Sequence, residues 1–186
     1  MKKATKSKIL PKDSPVLRKV ALAVPKKSFG SKELEIIIKK MATALHKEDD
    51  GVAIAAPQVG VSLRIFLVNG QTLGRIAAKE GEDPTHVFPD ILFINPEIIK
   101  LSKKKKLLEE GCLSVRWLYG KVRRSEKATV RAFDIAGRPF TLGASGLLAQ
   151  IFQHEIDHLD GILFIDKALD LEEIPPPKPK TKAKQK

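Results

Sequence analysis

Gln153-His154-Glu155-Ile156-Asp157-His158-Leu159-Asp160-Gly161 is the stretch on which the reading of this chain turns. It holds an HExxH pattern, and it continues an apolar segment with Leu147, Leu148, Ile151 and Phe152, which predicts a helix from about Ser145 to Leu159 closed by Gly161. Histidines four residues apart leave one helix face a turn apart, so their ring nitrogens can converge on one metal ion with Glu155 beside its open position. Chance surface histidines are the bland alternative. It fails because Leu147, Leu148, Ile151, Phe152, Ile156 and Leu159 make the helix apolar on most sides, and buried ionisable groups need partners.

The third ligand is found by elimination. HExxH peptidases of one class add a histidine six residues after the second, but Phe164 stands there. Another class adds a distant glutamate, whereas Glu172 and Glu173 border a proline-rich stretch; His46 and His86 fall at a helix end and in a polar loop. Cys112 remains, the only cysteine, preceded by Gly111, which allows close backbone approach. A thiolate ligand suits a divalent cation, although a small buried hydrophobe is the competing account of the same residue. Three protein ligands leave a position for water, the mark of a catalytic site. Leu147 and Ile151 share the histidines' face, which makes them either an apolar substrate wall, completed by Val52 and Leu113, or plain core. A mixed sulfur and imidazole set suits zinc or iron(II), and zinc is the choice from the donors alone.

Working outward, Leu34, Ile37, Ile38, Met41 and Leu45 mark one face of an amphipathic helix capped by Ser31. Asp13-Ser14-Pro15 opens a shorter helix expected to turn Val16, Leu17 and Val20 inward. Leu63 to Val68, Ile91 to Ile94, Ala128 to Phe133 and Phe140 to Leu142 read as short strands, the last two joined at Ala136-Gly137. The polar stretch before Ile91 reads as a surface loop, and Leu107 and Leu108 are expected to return the chain to the core after the run Lys103 to Lys106. The fold class is α+β: short, mostly antiparallel strands around one central metal-binding helix, with an N-terminal amphipathic helix. The organisation expected is a basic extension at 1–8, a catalytic domain at 9–170 and a disordered Pro/Lys-rich tail at 171–186.

The chain has 186 residues, enough for one well-buried domain. No apolar run approaches a membrane span, no secretory signal is visible at the N-terminus, and one cysteine forms no intramolecular disulfide, so the cytoplasm is expected. Of the net charge of +12, nine charges are lysines of the two tails, Lys2, Lys3, Lys6 and Lys8 with Lys178, Lys180, Lys182, Lys184 and Lys186. The charge therefore sits in the tails, where solvated lysines that keep the protein soluble are the first reading and attraction to polyanions the second, and the catalytic domain itself need not be basic. Sequence-specific nucleic-acid binding is not expected, and an aromatic content of 5% argues against stacking platforms for single strands.

Three segments in order, GVAIAAPQ at 51–58, EGCLS at 110–114 and QHEIDHLDG at 153–161, resemble the motifs of the peptide deformylases, and the likeness runs over roughly residues 9–168. The family's first motif is G-x-G-x-A-A-x-Q, so Ala53 replaces its second glycine. The resemblance implies metal ligands Cys112, His154 and His158, with Glu155 as general base and then acid. Gln58 and the backbone amide of Leu113 would stabilise the developing oxyanion. It places the Ala53 backbone along the substrate, and with the apolar wall read from the helix the substrate-binding set is Val52, Ala53, Gly111, Leu147 and Ile151. It also implies iron(II) as metal, with zinc, nickel or cobalt as substitutes, and hydrolysis of the formyl group from N-formylmethionyl nascent peptides to release formate. The basic tails suggest contact with ribosomes. Two rivals share the features: a zinc peptidase that lacks its usual third ligand, and an inactive binding protein, against which the intact Cys112, Glu155 and Gln58 argue.

Overall fold

The structure is a computed structural model and describes residues 8–79, 81, 83 and 85–174. Helix α1 (Lys32–Leu45) leads to β1 (Ala53–Ala55), β2 (Ile65–Val68), α2 (Gly70–Lys79) and β3 (Ile91–Leu101). Then follow β4 (Lys105–Cys112), β5 (Val115–Ser125), β6 (Lys127–Phe133), β7 (Pro139–Ser145), α3 (Gly146–Leu159) and β8 (Leu169–Glu173). The strands form two antiparallel sheets, one in the order β1-β2-β3-β6-β7 and one in the order β4-β5-β8. This is a mixed helix and antiparallel-sheet architecture. No helix among the described residues is long and apolar enough to cross a membrane.

Within the larger sheet, β1 and β2 are buried on both faces, while β6 and β7 turn one side outward. Its strands alternate their side chains, so Phe66 and Val68 of β2 join Ala149, Phe152 and Ile156 of α3, while Ile65 and Leu67 join Leu34, Met41 and Leu45 of α1. That is why β2 reads as a continuous apolar run rather than an alternating one. Phe66 stacks on Phe93 with ring centroids 4.3 Å apart, and Phe152 of α3 meets Phe93 edge-on at 5.2 Å. Helix α3 thus touches strands of both sheets. Its exit is fixed by Gly161 at φ +75°, where a Cβ would come within 2.9 Å of the Arg18 backbone, so both space and conformation require glycine. Ser31 caps α1 through a bond from the Leu34 amide to its hydroxyl.

Several expectations are corrected. The polar stretch after β2 contains α2, whose start is capped by Asn69 Oδ1 accepting from the Gln71 amide while Asp90 accepts from Gly70. Two glycines in ten residues hide that helix from propensity. The segment opened by Pro15 is a 3₁₀ turn, Pro15–Arg18, that buries Leu17 but leaves Val20 66% exposed. Leu107 lies on the outer side of β4 and is 43% exposed. The boundary at 170 also falls too early, because β8 pairs with β5 through Leu118↔Glu173 and Tyr119↔Glu172. An exposed edge strand is held by backbone bonds and needs no apolar pattern. Residues 1–7 and 175–186, which hold most of both expected tails, lie outside the described residues.

Candidate metal centre and substrate cleft

Helix α3 and the end of β4 build the centre. His154 and His158 project from one face of α3, and Cys112 closes the hairpin from β4 towards them. The donor atoms of Cys112, His154 and His158 all lie within 4.8 Å of one another, and Cys112 Sγ is 3.2 Å from His158 Nε2. Burial disfavours ionisation of Cys112, but the two imidazoles outweigh it and hold the thiol well below its ordinary range. Burial likewise opposes protonation of His154, yet the Cys112 and Glu110 groups raise its basicity well above the usual value. A partly buried cysteine sulfur facing two imidazoles is a pocket suited to a cation. The donor set, one sulfur and two nitrogens, fits a divalent transition-metal ion.

Glu110 orients this set, and sequence reasoning missed it. Its Oε2 lies 2.9 Å from His154 Nδ1, which leaves Nε2 of that ring free for a ligand role. Arg124 holds the same carboxylate with Nε and Nη2 at 2.7 and 2.9 Å and reaches Asp157 of α3 with Nη1 at 2.6 Å. Lys167 donates to the other oxygen of Asp157. Burial would raise the Glu110 carboxyl, but Arg124 and His154 overcome it and hold it down at about 2. Glu110 was visible as a carboxylate directly before Gly111-Cys112; Arg124, in a run of basic residues, gave no signal.

Glu155 is 3% exposed, and its Oε2 finds no hydrogen-bond partner among the described residues. Burial pushes its carboxyl up to about 7. Gln58 sits opposite: its carbonyl accepts from the Ala55 amide at 2.8 Å, and its amide nitrogen is 3.2 Å from Ser114 Oγ and 3.5 Å from Cys112 Sγ. That side-chain amide is therefore fixed as a donor pointing at the centre.

A cleft of about 360 Å³ opens on these groups. Val52, Ala53, Gly111, Leu113, Leu147 and Ile151 all line it, together with Gln58, Cys112, His154 and Glu155. His158 lies behind Cys112, 1% exposed. Ile151 is buried on the floor and Leu147, 44% exposed, stands at the rim. Ala53, on edge strand β1, lines the cleft and is 4% exposed, because it also packs in the core cluster with Phe66 and Val68. The rejected donors are engaged elsewhere: His46 pairs with Asp90, and His86 packs on Phe88. Glu172 and Glu173 lie on β8 outside the cluster. Arg116 and Trp117 also line the cleft and were not anticipated.

Comparison with known proteins agrees with this geometry. The chain is 43% identical over 160 residues to a peptide deformylase of Halothermothrix orenii, covering 86% of this chain and 91% of that protein. A Synechococcus elongatus peptide deformylase solved with actinonin superposes with a TM-score of 0.75 at 32% identity, covering 90% of this chain and 83% of the other. The Acinetobacter baumannii class I type b enzyme bound to Met-Ala-Ser gives 0.72 at 32% identity, with 88% and 100% covered. Residues 6–173 match the model of the polypeptide deformylase family, and the chain belongs to that family.

Proposed function

We propose that the protein removes the formyl group from N-formylmethionyl nascent peptides with Cys112, His154 and His158 as ligands of one divalent ion. The observation that carries this is Glu155: a buried carboxylate with an unpartnered oxygen beside three converging ligand atoms, on the floor of a cleft large enough for a peptide end. Bound there, the ion supplies Lewis-acid activation of water and of the formyl carbonyl. Glu155 takes the proton of the attacking water and delivers it to the departing amine. The Gln58 amide and the Leu113 backbone N–H donate to the carbonyl oxygen as it gains negative charge.

The peptide lies along the free edge of β1, between Val52-Ala53 and Gly111, because an edge strand offers backbone groups to an extended chain. Ile151 and Leu147 form the wall against the unbranched methionine side chain. Ala53, in place of the motif's second glycine, lines that edge. The metal is iron(II), with nickel, cobalt or zinc able to replace it; a sulfur and two imidazoles accommodate each. The Met-Ala-Ser ligand of the Acinetobacter baumannii enzyme, a peptide beginning in methionine, supports the same class of product here. The enzyme works in the cytoplasm, and its lysine-rich segments bring it to ribosomes by attraction to polyanions.

The test is formate release from an N-formylmethionyl peptide by anaerobically prepared iron(II) or nickel protein. Glu155→Ala is expected to cost about 10²- to 10⁴-fold in kcat. No release from the loaded wild type would overturn the proposal.

A further inference from the structure

We infer that the segment Arg116–Leu118, with Trp117 at its apex, selects the residue that follows the formylated methionine, accepting large apolar or aromatic side chains and rejecting acidic ones. The inference rests on the deformylase reading and adds a specificity-determining residue to it. The β4–β5 pairing passes from Cys112↔Val115 directly to Gly111↔Tyr119, so Arg116, Trp117 and Leu118 loop out with no partner on β4. Such bulges re-aim side chains beside active sites. All three residues of this one line the cleft that holds Cys112 and Glu155. A peptide whose formyl carbon sits at Cys112 and Glu155 leaves the centre across this bulge, because the bulge begins at the residue paired with Cys112.

Trp117 has φ +67°, a left-handed backbone that a bulky side chain rarely adopts. The indole is half-buried and belongs to none of the three apolar clusters among the described residues, so core packing does not account for the strain. The bulge is instead fixed from outside. The Trp117 carbonyl accepts from the Ile174 amide at 2.8 Å, Leu118 pairs with Glu173 of β8, and Arg116 is bound by Asp50 at 2.7 Å and by Glu48. Strain held by several anchors beside a reaction centre is the pattern of a functional constraint. The charges set the preference. Arg116 faces two carboxylates, Glu48 and Asp50, and has no free charge for an acidic substrate, and Glu109 adds a further negative charge to the same cleft. The Arg116 guanidinium lies over the Trp117 ring at 5.9 Å from its centroid, so what Trp117 offers a substrate is the opposite face of the indole.

Two readouts on nickel-loaded full-length protein test this. Trp117 is the chain's single tryptophan, so intrinsic fluorescence reports this position alone. Titration with unformylated Met-Phe-Ser should shift its emission saturably, at about tenfold lower concentration than Met-Asp-Ser. In turnover, the kcat/KM ratio of formyl-Met-Phe-Ser to formyl-Met-Gly-Ser should be about five- to tenfold, carried by KM. The ratio should fall towards one in Trp117→Gly and Trp117→Ala and persist in Trp117→Phe. A ratio removes general losses of folding or metal. A wild-type ratio near one, a ratio that survives Trp117→Gly, or an emission indifferent to both peptides would overturn the inference. Formate release from any formyl peptide upholds the underlying activity whichever way the ratio falls, and its absence from all of them leaves the fluorescence titration to decide the wall.

Discussion

Glu110→Gln keeps the shape of the side chain and removes the charge that holds His154 in its ligand tautomer. Metal affinity is expected to fall about 10- to 100-fold, with kcat of the saturated enzyme changing less. Competition against a graded series of chelators measures it, and unchanged affinity would show that His154 needs no such partner. The converging donors Cys112, His154 and His158, with Glu155 beside them, were legible because one helix period and one lone cysteine define them. Glu110 and Arg124 were not, because their bond crosses from β4 to β5 and no spacing along the chain encodes it. Trp117 was equally hidden, since a positive φ leaves no trace in composition.

Elements were readable in proportion to how far their own pattern decides them. Helix α3 announces itself through apolar residues on most sides, and α1 through a stripe whose Leu34, Met41 and Leu45 are buried. Helix α2 breaks that rule. Gly70 lies where any Cβ would fall 2.0 Å from the Phe88 carbonyl, so close packing placed a poor helix former at the helix start. Strand β5 was missed because most of its inward positions, Gly120, Arg124 and Ser125 among them, are small or polar, and the buried arginine serves the site instead of the core. The strongest element-level test is Phe152, 0% exposed, which joins α3 to the Phe66–Phe93 stack. Phe152→Ala should cost about 3–5 kcal/mol, read from the urea midpoint. A loss below about 1 kcal/mol would mean that α3 is held mainly by its polar contacts with β5.

The whole chain carries +12, most of it in lysines near its two ends. Removing 175–186 is expected to weaken co-sedimentation with ribosomes at low salt while leaving formate release from short peptides unchanged. Equal sedimentation of the shortened and full chains would remove the role proposed for these lysines. The cut belongs after Ile174, because the Ile174 amide is bonded to Trp117. With the selectivity proposed for Trp117, that bond ties the timing of synthesis to substrate choice. Strand β8 follows α3 in chain order, so both histidines emerge from the ribosome before the strand that steadies the Trp117 bulge. A nascent copy of this protein therefore holds both proposed ligand histidines while the selectivity proposed for Trp117 is still unfinished.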